Sequence, residues 1–288
     1  MKMEMTREKR QSQLAEIWRR LRRNKAAVTG LLIVAALVVF AVFAPYIAPF
    51  DPNKGNFKDK LLAPNSKYLL GTDNFGRDIF SRIVYGSRIS LYIGFIAVAI
   101  GAVGGAALGA VAGYYGGRID NLVMRCMDIL LAVPTIILAI AIVGVLGANL
   151  TNLMLAVGIG QLPRYARIVR ASTLSVREQE FVEAARLVGA SDLRIIAENI
   201  LPNCMAPIIV QSTLGVASAI LAAASLSFLG LGIQPPTPEW GSMLSAGRQF
   251  LRNAPYMTFF PGVAIALVVL GLNLLGDGLR DALDPKLR

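Results

Sequence analysis

The stretch EFVEAARLVGASDLRIIAENILPN, residues 180–203, is a charged segment between strongly apolar parts of the chain. Four apolar residues of its first half recur at i, i+3, i+4 and i+7, which predicts a short helix; they are Phe181, Ala184, Ala185 and Val188. Gly189 suits a left-handed helix end. Ser191 is placed to cap a second helix with Asp192 in its first turn, and Pro202 limits how that helix continues. The stretch therefore predicts a helix, a tight turn and a second helix.

The apolar face of this segment has two possible partners. A compact, partly apolar knob is suited to a groove in another protein. The same face could instead pack against the chain's own helices. The residues alone leave both possibilities open.

The composition indicates a membrane protein that crosses the bilayer several times. Of the 288 residues, 55% are hydrophobic and 16% are charged, and the mean hydropathy is +0.57. A soluble domain carries about a quarter charged residues. The net charge of +11 would suggest nucleic acid in a soluble protein. Here it favours cytoplasmic loops and contact with anionic membrane lipid, and no nucleic-acid partner is expected.

An all-α fold with six transmembrane helices is predicted, since a span needs about 20 mostly apolar residues and must be helical inside the bilayer. The six segments are 26–48, 89–114, 122–146, 150–168, 206–233 and 257–276. With the N-terminus inside, the inner connections carry 20 Lys and Arg residues and the outer ones carry 9. This bias places both termini and the 180–203 stretch in the cytoplasm. The first outer loop, with 7 of these residues, fits the rule least well.

Two further segments predict helices beside the spans. Residues 14–21 combine apolar residues at helical spacing with arginines, which favours an amphipathic helix on the inner membrane surface over a disordered basic tail. Thr237 is placed to cap a helix that begins at Pro238. Its apolar side, with Trp240 at the membrane interface, could face an external partner or only anchor the loop; the other residues of that side are Met243, Leu244 and Phe250.

The second span carries a stripe of glycines four residues apart. The stripe consists of Gly101, Gly105, Gly109 and Gly113. Small residues at this spacing allow another helix to approach closely. We therefore expect this span to be enclosed by other helices.

The chain lacks the residues of several kinds of active site. It contains no histidine, and Cys126 and Cys204 are isolated residues expected to pack among apolar neighbours. No phosphate-binding GxxxxGK[ST] loop and no GxSxG elbow occurs. The polar residues at membrane depth are uncharged, whereas an ion relay needs ionisable or ion-coordinating groups there. They are Thr151, Gln161, Gln211, Ser212, Thr213 and Asn273. The pattern leaves a passive pore, a scaffold, or one part of a machine powered by another subunit.

The 180–203 stretch resembles the EAA motif of ABC import permeases, E-A-A-x3-G-x9-I-x-L-P. The matching residues are Glu183, Ala184, Ala185, Gly189, Leu201 and Pro202. Asn199 stands at the isoleucine position, and Ile200 follows it. The segments 70–91 and 273–288 are similar to the dipeptide/oligopeptide/nickel family, C-type subunit. The likeness covers nearly the whole chain.

The resemblance implies a type I ABC importer permease fold with a defined division of the chain. Residues 1–25 would be a cytoplasmic basic segment, 26–88 the first span and its external loop, and 89–277 a five-helix permease core. A coupling loop at 170–205 would lie within this core, and 278–288 would be a cytoplasmic tail. The EAA residues would contact an ATP-binding subunit, with the alanines allowing close approach and Gly189 forming the turn.

The resemblance also implies the partners and the location. These are a B-type permease subunit, two ATP-binding subunits or domains that bind ATP and Mg, and an external solute-binding protein, in the bacterial inner membrane. The chain itself would hold no cofactor and no metal and would not be an enzyme. The implied cargo is a short peptide, with nickel or glutathione as alternatives within the family. A passive channel or membrane scaffold is the alternative from another class.

Overall fold

The computed structural model describes residues 16–283, which fold into helices joined by loops. No β-strand occurs in this range, where Thr72 and Asp78 form an isolated bridge. The predicted all-α class is confirmed. After a helical segment at residues 16–23, the α-helices are numbered in chain order: α1 Lys25–Val42, α2 Ala44–Ile47, α3 Ile79–Tyr115, α4 Gly117–Ala132, α5 Thr135–Leu146, α6 Leu150–Val176, α7 Glu180–Leu187, α8 Asp192–Ile195, α9 Met205–Phe228, α10 Trp240–Gly247 and α11 Tyr256–Leu283.

Four helical segments of the described range are long and apolar enough to cross a membrane: Lys25–Val42, Ile79–Tyr115, Asp192–Phe228 and Tyr256–Leu283. Helices α4 and α5 add a fifth candidate if they form one span, and they meet at 90°. The bend lies at Val133, which is extended because Pro134 follows it. The predicted segment 150–168 lies in α6, which is not apolar enough to be counted. The six predicted spans are therefore not confirmed as a count.

The glycine stripe of α3 packs against α6 along its length. A Cβ atom added at Gly101 would lie 2.5 Å from the Gln161 Cβ, and one added at Gly113 would lie 2.7 Å from the Thr173 Cβ. Residue numbers rise together on both helices, so α3 and α6 run parallel. The predicted close approach is confirmed, and small residues let the two backbones come together.

Helix α1 packs antiparallel to α11. Gly30 lies beside Gly271, and Ala27 lies beside Gly278. The two helices therefore bring residues 21–24 and 278–283 to one end of the bundle. The start of α9 lies at the same end, because Asn203 and Arg280 line one groove. We call this the hairpin end, after the helix–turn–helix segment 180–203 that lies there, and the opposite end, with residues 43–78 and 229–255, the loop end.

Three arginines of the loop end are held by the protein itself. Arg77 Nε donates to Asp73 at 2.6 Å. Arg82 donates to the Pro52 carbonyl at 2.7 Å. Arg88 donates to the Ala41 carbonyl near the end of α1. Their charges therefore stabilise the loop and the end of α1.

Helix α10 is bound to the bundle at the loop end. Trp240 is fully buried and its indole N–H donates to the Ile83 carbonyl at 3.0 Å, so the predicted interfacial position of Trp240 is wrong. The predicted cap is also wrong: the N-cap is Glu239, and Thr237 lies before it. The two Glu239 oxygens accept from the Gly241 and Ser242 N–H groups, each at 2.8 Å. A carboxylate that accepts two bonds fixes a helix start firmly.

The N-terminal segment and the two cysteines complete the fold. Residues 16–23 are helical and Leu21 is buried, whereas Leu14 of the predicted amphipathic helix lies outside the described residues. Cys204 is buried and contacts Thr173, in keeping with the predicted packing role. Cys126 is exposed, so its predicted packing role is wrong for this chain alone. The reason is that α4 presents most of its surface outward.

Candidate functional site

The segment 180–203, which we call the hairpin, begins with α7 and ends that helix in a tight turn. Gly189 has φ of +82°, so it adopts the left-handed conformation predicted from the sequence. Its N–H donates to the Arg186 carbonyl at 2.9 Å, and the Ala190 N–H donates to the Ala185 carbonyl at 3.1 Å. These two bonds form a Schellman motif, which satisfies carbonyls at the end of a helix. The turn therefore reverses the chain with few unpaired backbone groups.

The second limb of the hairpin begins at α8. Ser191 occupies the N-cap position and its carbonyl accepts from the Ile195 N–H at 2.9 Å, but its side chain makes no cap bond, so that part of the prediction is wrong. Asp192 lies in the first turn as predicted. Its carboxylate accepts a 2.7 Å hydrogen bond from the Tyr114 hydroxyl at the end of α3. The second limb is therefore tied to the transmembrane bundle.

The hairpin continues into α9 without a break in the helical path. A π-helical turn, Ile196–Ile200, is followed by a 3₁₀ turn, Leu201–Cys204. Pro202 explains the change of pitch, because proline has no N–H and its ring clashes with the preceding helical turn. The Asn203 side chain donates to the Asn199 carbonyl at 2.6 Å. Displacement of the hairpin would therefore act directly on the start of α9.

Apolar side chains anchor the hairpin on its inner side. Val182, Ile195 and Ile200 have no exposed surface. The Arg186 guanidinium lies over the Tyr114 ring, 5.0 Å from its centroid. Arg177, just before α7, donates to the Gly113 carbonyl at 2.9 Å. The first limb of the hairpin and the residues just before it thus contact the end of α3.

The outer side of the hairpin carries an exposed apolar tip, which we define as Leu187, Val188 and Leu193. Their exposed fractions are 82%, 83% and 81%. Large apolar side chains exposed together beside one turn are suited to a protein interface. The sequence left open whether the hairpin packs on its own helices or docks in another protein. The inner side packs on the bundle, whereas the tip does not and is available to another protein.

The residues of the predicted coupling site divide between the two sides. Glu183, Ala184, Gly189 and Pro202 are exposed, whereas Ala185 and Leu201 are partly buried. The predicted apolar face is also divided, because Phe181 and Val188 are exposed while Ala185 contacts the core. Sequence analysis did not identify Tyr114 or Leu193 as residues of this site. Leu193 could have been noticed, because it is a leucine directly after the predicted helix start at Ser191 and Asp192. Tyr114 could not, because no local pattern pairs it with Asp192, 78 positions away.

Two pairs of polar side chains inside the bundle bind each other. The Gln161 side chain donates to Ser218 Oγ at 3.1 Å. The Tyr165 hydroxyl and Ser212 Oγ are 3.3 Å apart. Between residues 16 and 283, no group of three or more His, Cys, Asp and Glu side chains is placed to hold a metal ion.

Similarity to known proteins agrees with the hairpin's motif. Residues 105–288 match the family described as binding-protein-dependent transport system inner membrane component, and residues 12–64 match the N-terminal TM domain of oligopeptide transport permease C. The chain is 51% identical over 273 residues to the dipeptide transport system permease protein DppC of Alkalihalophilus pseudofirmus, covering 95% of this chain and 90% of that protein. It is 50% identical over 274 residues to the glutathione transport system permease protein GsiD of Shigella sonnei, covering 95% and 90%.

A solved structure shares the fold. The inward-facing MetNI methionine ABC transporter aligns with a TM-score of 0.57 and 19% identity, covering 70% of this chain and 96% of that chain. At this identity the likeness concerns the fold alone. The family match spans more than half of the chain, and the relatives span nearly all of it. The chain therefore belongs to the family of binding-protein-dependent transport system inner membrane components, the permease subunits of ABC importers.

Proposed function

We propose that this chain forms half of the translocation pathway of an ABC importer for short peptides, and that cytoplasmic ATPase subunits drive it through the hairpin. The observation that carries the proposal is the apolar tip, held out from the bundle by a buried and hydrogen-bonded inner side. A knob that is rigid at its base and apolar at its tip is suited to transmit force to the helices below it. Dipeptide cargo is supported by the 51% identical relative, and glutathione is the alternative that the 50% identical relative supports.

The proposed topology has six crossings, with both termini and the hairpin in the cytoplasm. Helix α6 is included because it runs parallel to α3 along the glycine stripe. Parallel neighbours require the connecting segment 117–149 to cross back, which supports one crossing by α4 and α5 together. The loop-end arginines are compatible with this orientation. Arg77, Arg82 and Arg88 are bound by protein groups, so these positive charges of the outer loop have a local structural role. They are therefore a weaker objection to the rule that inner loops carry more Lys and Arg.

The complete transporter would contain partners that supply energy and cargo. These are a B-type permease subunit, two ATP-binding subunits or domains that hold ATP and Mg, and a solute-binding protein outside the bacterial inner membrane. The chain itself would contribute no cofactor. The division into 1–25, 26–88, 89–277 and 278–288, with the coupling loop at 170–205, remains part of this proposal.

The hairpin offers two routes for movement into the membrane. Asp192 and Arg186 connect it to α3 through the hydroxyl and the ring of Tyr114. The turns 196–204 connect it to α9 through continuous backbone. A shift of the tip would therefore move α3 and α9 relative to helices that do not contact the hairpin, as alternating access requires.

Site-specific crosslinking tests the proposal. Cys126 is exposed and is first replaced in a C126S background, whereas buried Cys204 can remain. In the assembled transporter, L193C should crosslink to an ATPase subunit. The matched control is L69C, because Leu69 is 58% exposed at the loop end and should give no such product.

Transport in proteoliposomes provides the second test. ATP hydrolysis should rise with loaded solute-binding protein, and labelled alanyl-alanine should accumulate only with ATP. ATP-independent flux through the chain alone would instead support a passive channel. Crosslinking of the ATPase subunit to residue 69 rather than to residue 193 would show that the orientation is wrong.

A further inference from the structure

A groove of about 560 Å³ opens at the hairpin end between α6, α9 and α11. Its lining includes apolar residues of all three helices and a few polar ones: Asn203, Val210, Gln211, Leu214, Arg280 and Leu283. A concave site of about 300–1,000 Å³ with apolar walls and few polar groups is typical of small-ligand binding.

Gln211, in the lining of the groove, differs from the polar residues near it on α9. Ser212, Thr213 and Ser218 make hydrogen bonds to neighbouring protein groups. No such bond holds the Gln211 amide within residues 16–283, and its side chain lines the groove. An amide left unpaired in contact with lipid chains would be costly. Gln211 is therefore suited to water or to a polar ligand.

The start of the groove coincides with the hinge below the hairpin. Asn203 belongs to the 3₁₀ turn Leu201–Cys204 and lines the groove together with Ile168 of α6. Arg280, near the end of α11, is exposed and lines the same groove. When the hairpin moves, the α9 wall would move with it, so the width of the groove would change with the state of the ATPase subunits.

We propose that this groove is the inner part of the peptide path, in which Gln211 binds the peptide amide and Arg280 binds the terminal carboxylate. An amide pairs with an amide in both donor and acceptor roles, and a guanidinium forms paired bonds with a carboxylate. The inference rests on the proposed function and adds to it the residues that contact cargo. A lipid chain would leave Gln211 unpaired, which is why the peptide is favoured.

Cysteine labelling in the complete transporter tests the groove. Q211C and I209C are made in the C126S background; Ile209 is 42% exposed on the same helix and does not line the groove. A charged, membrane-impermeant thiol reagent applied from the hairpin side should modify residue 211 and leave residue 209 unmodified. Turnover with alanyl-alanine, ATP and binding protein should slow the modification of residue 211 several-fold.

Other labelling results would overturn the proposal. Modification of residue 211 by membrane-permeant reagents alone would indicate a lipid-filled groove. Resistance to both kinds of reagent would indicate that a partner helix covers it. Substitution of Arg280 gives an independent readout: R280Q should lower alanyl-alanine uptake per ATP hydrolysed several-fold, and R280K should restore part of it.

The experiments distinguish failure of the proposed function from failure of the groove assignment. If the wild-type transporter takes up no dipeptide, the proposed function and the groove are both wrong. If the wild type takes up dipeptide while residue 211 is labelled equally fast with and without turnover, the groove alone is wrong. Equal uptake per ATP in R280Q and wild type would likewise exclude carboxylate binding by Arg280.

Discussion

The Tyr114 hydroxyl, at the end of α3, donates a 2.7 Å hydrogen bond to the carboxylate of Asp192 in the hairpin. The same ring lies beneath the Arg186 guanidinium, 5.0 Å from its centroid. One aromatic side chain thus contacts both limbs of the hairpin. Since Tyr114 is buried at the end of α3, movement of either limb would act on that helix.

Removing the Tyr114 hydroxyl should loosen the hairpin without removing its apolar anchor. Y114F keeps the ring under Arg186 but loses the hydrogen bond to Asp192. A hydrogen bond to a charged group contributes about 1.5–3 kcal/mol to stability when it is shielded from solvent, and less where solvent reaches it. We expect hydrogen exchange of the hairpin amides to accelerate several-fold and uptake per ATP to fall. Mass-detected hydrogen exchange on the purified transporter measures this. The control is Y46F, because Tyr46 is 87% exposed at the loop end; equal exchange in Y114F and Y46F would contradict the role of Tyr114.

The hairpin and the close helix approach could be predicted because their signals are local. The residues Glu183 to Gly189 carry both the helical pattern and its stop, and the stripe from Gly101 to Gly113 marks a face with no side-chain bulk. The stripe does not identify its partner, since many helices offer a compatible surface. The pairing with α6 depends on the path of the whole chain.

The errors arose where distant packing overrode local preference. Thr237 before Pro238 is a good local signal for a helix start. In the structure Glu239 is buried and caps the helix instead, because its two carboxylate oxygens accept from the N–H groups of Gly241 and Ser242. Trp240 suits a membrane interface by composition, yet Ile83 of α3 supplies a carbonyl for its N–H inside the protein. Because Ile83 lies 157 positions from Trp240, no local pattern near Trp240 reveals this bond.

Substitutions at Gly189 should weaken coupling in proportion to their conformational cost. Nothing lies within 4 Å of a Cβ atom added there, so the cost comes from the φ of +82° alone. An L-residue in this region loses about 1–2 kcal/mol, and asparagine loses less. Retention of ATPase subunits in a pull-down should therefore decrease in the order wild type, G189N, G189A and G189V. G144A is the control, since Gly144 also has open space but lies inside α5; an effect of G144A as large as that of G189A would contradict the conformational explanation.

A larger residue in the glycine stripe should separate α3 from α6. The added Cβ of G105A would lie 2.5 Å from the Tyr165 Cβ and 2.7 Å from the Leu162 carbonyl oxygen. Overpacking of this kind costs about 1–3 kcal/mol, and G105V should cost more than G105A. Thermal unfolding of the detergent-purified transporter should show a midpoint lowered by several degrees. In G262A the nearest atom is 3.9 Å away, so that control should unfold like the wild type; unchanged unfolding of G105V would exclude the close approach.

The carboxylate of Glu239 should determine how firmly α10 stays against the bundle. E239A would leave the N–H groups of buried Gly241 and partly buried Ser242 without acceptors. An unpaired group costs about 1–3 kcal/mol where it is buried and less where solvent reaches it. E239Q keeps one acceptor oxygen, so its effect should lie between wild type and E239A. In a W18F background, Trp240 is the one remaining tryptophan, and its fluorescence should become more accessible to acrylamide in the same order. Q249A, at an exposed position of the same loop, should leave the quenching unchanged. If E239A were quenched no more than Q249A, the start of α10 would have to be held by its buried tryptophan rather than by the Glu239 cap.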